Sequence, residues 1–92
     1  MRLRWTRRAL ADLQRLADRI VDDGKPLAAA AFAAELASAT ARLAEQPLMG
    51  RAGRHGDTRE LVLHRNYLLT YRLHGDEVQV LQIWHVARQR PT

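Results

Sequence analysis

The apolar residues of this 92-residue chain change their period near its midpoint, and that change restricts the fold more than any other feature of the sequence. Over residues 7 to about 23, Leu10, Leu13, Ala17, Ile20 and Val21 recur at three- and four-residue intervals, the stripe of an amphipathic helix. Gly24 and Pro26 interrupt it. A second helical stretch, from 26 to about 45, is dominated by alanine and carries Phe32, Leu36, Ala39 and Leu43 at spacings of four, three and four. After a glycine-rich loop over 46–58 the period becomes two. Residues 59–65, 67–73 and 78–86 read as strands, separated only by Asn66 and by a turn at 74–77, so they are expected to be antiparallel neighbours. In the middle one Tyr67, Leu69, Tyr71 and Leu73 share one face, and Leu68, Thr70 and Arg72 share the other. The last is apolar on both faces, as an interior strand would be. A short alternation over 2–5 adds a strand ahead of Thr6, which stands at a helix N-cap position. The expectation is an α+β fold in which an N-terminal short strand and a helical hairpin pack on a small, mainly antiparallel sheet.

At this length the chain is read as a single domain, 1–92, small enough that a partner protein would help to stabilise it. The lack of cysteine excludes disulfides, thiol catalysis and cysteine metal sites. The N-terminus lacks the apolar segment of a secretory signal, and no apolar run is read as long enough to span a bilayer, so the expected location is the cytoplasm. Fifteen basic against ten acidic residues give a formal charge of +5, and Lys25 is the only lysine among the basic ones. Arginine presents a planar donor fork that matches phosphate and carboxylate oxygens bidentately, whereas lysine is a hydrated point charge. A genome rich in G and C would give the same bias, so the placement of the arginines carries the argument.

That placement is uneven. Arg2, Arg4, Arg7 and Arg8 crowd the start. Arg51, Arg54, Arg59, Arg65 and Arg72 populate the loop and the strands that follow, and His85, Arg88 and Arg90 close the chain. Convergence of the loop, the strand ends and the C-terminal tail on one sheet face or rim would form a basic concavity suited to RNA phosphates or to an acidic protein partner. His85, at the end of an apolar strand, has the chemistry of a general acid or base and equally that of a structural histidine. Tyr67, Tyr71, Trp5 and Trp84 are assigned to the core. No HxH or HExxH spacing and no phosphate-binding glycine motif occurs, so no metal and no cofactor are expected. The single serine, Ser38, lies mid-helix.

One order of features runs through the chain: Trp5 followed by Ala9 to Leu13, Pro47 to Arg51, Arg59-Glu60-Leu61, Tyr67 to Arg72, Gly75-Asp76, and Leu81 through His85 to Arg88 and Pro91. In that order the chain resembles the RelE/ParE superfamily of toxins from type II toxin–antitoxin modules, including plasmid stabilisation proteins. The resemblance covers essentially the whole chain. It implies a growth-inhibitory protein neutralised by a cognate antitoxin, with operator DNA contacted only indirectly, through that antitoxin, and no membrane partner. RelE-like members are ribosome-dependent mRNA endoribonucleases, and ParE-like members act on DNA gyrase without being nucleases. Under the RelE-like alternative the catalytic residues would be Arg59, His85 and Arg88, while Arg51, Arg54, Arg65, Arg72 and Arg90 would bind target or antitoxin. Leu68, however, stands where RelE-type nucleases carry an arginine, and no C-terminal tyrosine follows Arg88. The ParE-like reading is therefore preferred, with a non-toxic RNA- or protein-binding module as a further alternative.

Overall fold

The computed structural model describes residues 1–64 and 67–86. Its elements are β1 (Arg2–Trp5), α1 (Arg7–Asp22), α2 (Pro26–Glu45), β2 (Arg51–Ala52), β3 (Thr58–His64), β4 (Tyr67–His74) and β5 (Glu77–His85). They form the expected α+β architecture, two helices against one face of a five-stranded sheet ordered β1-β5-β4-β3-β2. β2 to β5 pair antiparallel in sequence order, and β1 alone runs parallel, to β5. The segment read as a loop thus contains β2, whose two residues are too few to show an alternation.

Local chemistry sets the helix limits. Thr6 is extended, and its hydroxyl accepts from Ala9 N at 3.2 Å. That satisfies one of the amides left free at a helix start. The same hydroxyl donates to Val80 O at 2.9 Å, so the cap also ties α1 to β5. Gly24 follows α1 with a φ of 70°, and Pro26 lies in the first turn of α2, where its missing N–H costs no helical bond. Phe32, Leu36, Ala39 and Leu43 seat α2 on the sheet as their spacing predicts. Contrary to the expectation that no apolar run approaches a membrane span, α2 is long and apolar enough to be one. Alanine supplies that apolarity without bulk, and here the Phe and Leu row of the helix lies against β-strands.

α1 corrects the sequence reading in its orientation. Leu13, Leu16 and Ile20 pack on the core and Ala9 is fully buried, whereas Leu10 and Val21 point to solvent. The position between the packed residues belongs to Asp12, a buried carboxylate. Its reason lies in the sheet. β1 pairs with β5 only as far as Val80, and the exposed edge beyond would leave Ile83 N without a strand partner. Asp12 Oδ2 accepts from Ile83 N at 3.1 Å instead. Arg8, at 3.6 Å, and Arg15 flank the carboxylate from the same helix.

One extra residue in β5 decides which side chains face which way. Thr70 lies opposite Gln82 while the next residue, Tyr71, lies opposite Val80, so Leu81 is bulged out of the ladder. Val78, Val80, Ile83 and His85 then face the helices, and Gln79, Gln82 and Trp84 face the other way. Strict alternation would have placed Trp84 with Val80. It is buried, but on the far face, where its indole Nε1 donates to Thr70 Oγ1 at 3.1 Å. The core between sheet and helices is centred on Tyr71, Leu43, Leu63, Leu69, Val78 and Val80.

Candidate functional site

Antiparallel and parallel registers together place opposite residues on a shared face. Among the described residues, the face turned away from the helices carries Arg2 and Arg4 from β1, Glu77 and Gln79 from β5, Thr70 and Arg72 from β4, Thr58 and Glu60 from β3, and Arg51 from β2. Four of these form one cross-strand rung, Thr58 beside Arg72, Arg72 beside Gln79, and Gln79 beside Arg4. Within it Arg72 Nε donates to Gln79 Oε1 at 3.0 Å, and Gln79 Nε2 donates to Glu77 Oε1 at 3.2 Å. Arg4 Nε donates to the same carboxylate at 3.4 Å. The Gln79 amide and the Arg4 guanidinium hold the Glu77 carboxyl below its usual range, because both donate to its charged form. On either side of the rung Arg51 pairs with Glu60 at 3.4 Å and Arg2 with Asp76 at 3.3 Å. Between the loop and the middle of this face lies a hollow of about 180 Å³ lined by Arg54, His55, Thr58, Glu60, Thr70 and Gln82, with Leu81.

The expected convergence of basic residues therefore holds for Arg51, Arg54 and Arg72, and it gains Arg2 and Arg4. It fails for Arg59. This residue lies opposite Tyr71, on the helix side, and its guanidinium donates to Leu48 O at 3.2 Å and Gly50 O at 2.9 Å. Two carbonyls of the loop preceding β2 thus engage it, and Tyr71 completes the anchorage by donating to Pro47 O at 2.7 Å and accepting from Gly50 N at 2.9 Å. The loop lies so close that a Cβ on Gly50 would stand 2.6 Å from the Tyr71 hydroxyl. His85 also faces the helical layer, beyond the far end of the same row. Its ring meets Tyr67 edge-on with centroids 5.0 Å apart, and Tyr67 in turn packs on Phe32. Beside His85 a groove of about 640 Å³ runs along α1, bordered by Asp12, Arg15, Asp18, Arg19, Asp22 and the end of β5. Arg65, Arg88 and Arg90 lie outside the described residues.

Arg59 and His85 share the helix-side face of the sheet but not one place along it. They lie opposite Tyr71 and Tyr67 respectively, four residues apart on β4, a separation of about 13 Å along the strand. General acid–base work requires groups within hydrogen-bond reach of one reacting centre. Leu68 is buried on the open face opposite Trp84. Sequence reasoning missed Arg4 and Gln79 as members of the site. The alternation of β1 already sets Arg2 and Arg4 opposite Leu3 and Trp5, but the parallel pairing that brings Arg4 beside Gln79 joins segments more than seventy residues apart.

Known toxins resemble this chain over nearly its whole length. Residues 3–90 match the family model described as the ParE toxin of the type II toxin–antitoxin system parDE. A Sinorhizobium fredii protein provisionally named toxin Y4kP is 43% identical over 91 residues, covering 98% of this chain and 93% of its own. Toxin RelE2 of Caulobacter vibrioides is 40% identical over 84 residues, 91% of this chain and 93% of the relative. In solved structures, a chain of the chromosomal ParDE system from P. aeruginosa superposes with a TM-score of 0.79 at 30% identity, over 92% of this chain and 95% of that one. With the family match spanning nearly every residue and the ParDE fold reproduced over the same length, the chain belongs to the ParE toxin family and is the toxin of a type II toxin–antitoxin module, with a cognate antitoxin as its partner.

Proposed function

We propose that this toxin acts in the cytoplasm on DNA gyrase and has no nuclease activity of its own, with Arg51, Arg54 and Arg72 contributing to contacts with target or antitoxin. The observation that carries the reading is the division of the basic residues between two faces. Arg59 and His85, the described members of a RelE-like catalytic set, lie on the helix side and about 13 Å apart along the sheet, while Arg51 and Arg72 lie on the open face. A nuclease needs its proton-transfer groups and its phosphate-stabilising cations at one centre. A protein that poisons another protein needs only a surface.

The RelE-like alternative has one specific observation in its favour, the 40% identity to toxin RelE2. A supercoiling assay separates the two. Purified toxin at saturating concentration is expected to suppress supercoiling by gyrase, and adding the antitoxin before the toxin is expected to restore it. Undiminished supercoiling would sink the gyrase reading.

A further inference from the structure

The open face is not a bare cationic surface, because its arginines are held by side chains that fix where they point. Arg4 and Arg72 are both bound through Nε, Arg4 to Glu77 and Arg72 to Gln79. A guanidinium has five N–H donors, so engaging Nε directs the terminal amino groups outward in a set orientation. Gln79, only 4% exposed, lies between the two, accepting from Arg72 and donating to the carboxylate that holds Arg4. One buried amide therefore orients both cations, which stand on strands two spacings apart, about 10 Å.

From this geometry we infer that the Arg4–Gln79–Arg72 rung is a docking site for the cognate antitoxin, which it grips through two carboxylates on an acidic segment. Three features favour an acidic peptide over nucleic acid. Glu60, Asp76 and Glu77 are interspersed among the arginines, and a continuous phosphate chain laid across the face would run against them. Discrete carboxylates can alternate with them. Among the described residues the face also presents no exposed tyrosine, tryptophan or phenylalanine ring, only the smaller rings of His55 and His74: Tyr67 and Tyr71 face the helices, and Trp84 is 6% exposed with its Nε1 tied to Thr70. Single-stranded nucleic acid is usually held by base stacking on exposed aromatic rings. Finally, fixed guanidinium groups suit bidentate carboxylate recognition, which a diffuse positive field does not require. The antitoxin is the partner that the family supplies, and the inference rests on that reading.

Gln79→Leu tests it without altering charge. The probes are a fluorescein-labelled decapeptide of alternating glutamate and alanine and a hexathymidine oligonucleotide, titrated at low salt into folded wild-type and variant toxin. The expected result is peptide binding that weakens about tenfold in Gln79→Leu and further in an Arg4→Gln, Arg72→Gln double variant. Equal peptide affinity of wild type and Gln79→Leu, no peptide binding, or tighter oligonucleotide binding through the same residues would overturn it. A second arm identifies the source. When tagged toxin is co-expressed with the antitoxin, the wild type is expected to co-purify with it and the double variant to lose it. A double variant that is non-toxic yet still co-purifies with the antitoxin would overturn the assignment and give the face to the target. Failure of the wild type to arrest growth would count instead against the toxin reading, leaving the peptide result to stand.

Discussion

Tyr71→Ala is expected to destabilise the fold by about 3–5 kcal/mol and Tyr71→Phe by about 1–3 kcal/mol, the second by removing a single oxygen. The side chain is fully buried at the centre of the core, so truncation to alanine removes a large packed volume and leaves a cavity. The phenylalanine variant keeps the ring and isolates the hydroxyl. That hydroxyl serves Pro47 O and Gly50 N together, and its loss leaves a carbonyl and an amide of the loop unpaired in a part-buried setting. In a domain of this size each kcal/mol lowers the melting temperature by about 4–8 °C. Hydrogen exchange discriminates further, since the Gly50 amide is expected to lose its protection in Tyr71→Phe while those of β4 and β5 keep theirs. Equal melting temperatures for wild type and Tyr71→Phe would show that the loop holds without this anchor.

The second large effect is expected at Asp12. Asp12→Ala is predicted to cost about 2–3 kcal/mol, because a buried backbone amide loses a charged acceptor and finds no replacement. Asp12→Asn, which keeps an acceptor oxygen, is expected to retain most of the stability. The flanking Arg8 and Arg15 side chains are largely exposed and contribute little, as exposed ion pairs do. The alanine variant also bares the part of β5 that β1 leaves uncovered, so it is expected to self-associate where the wild type does not. Analytical ultracentrifugation with exchange at the Ile83 amide checks both parts, and an Ile83 amide equally protected in Asp12→Ala would refute this role.

Most of the architecture is legible in the sequence because it depends on local chemistry. The limits of α2, the Thr6 cap and the break at Gly24 and Pro26 follow from residues acting within a few positions of themselves. The face of β4 that carries Tyr67, Leu69, Tyr71 and Leu73 follows from a two-residue period that nothing interrupts on that strand. The features that escape are those set by distant pairing. The bulge at Leu81 reverses the inward set of β5 after Val80, which sends His85 to the helix side and Trp84 to the open face. Asp12 looks like a solvent-facing helical residue until the unpaired Ile83 amide arrives from 71 positions away.

The candidate site divides in the same way. Arg72 is placed correctly by strand alternation, whereas Arg51 falls in a segment too short to alternate; the same alternation sets Arg59 on the face of Leu61 and Leu63, but nothing local indicates that one of its amino groups donates to Leu48 and Gly50. Charge clustering alone would have counted it with the others. The difference matters for the proposed function, because loop carbonyls hold one amino group of Arg59 on the helix side, away from the arginines of the open face.

The most direct test of that division is the fate of a defined message on translating ribosomes. With purified toxin added in excess and the message ends mapped by primer extension, full-length message is expected at every time point. Cleavage within codons at the ribosomal A site, abolished by His85→Ala, would contradict the account.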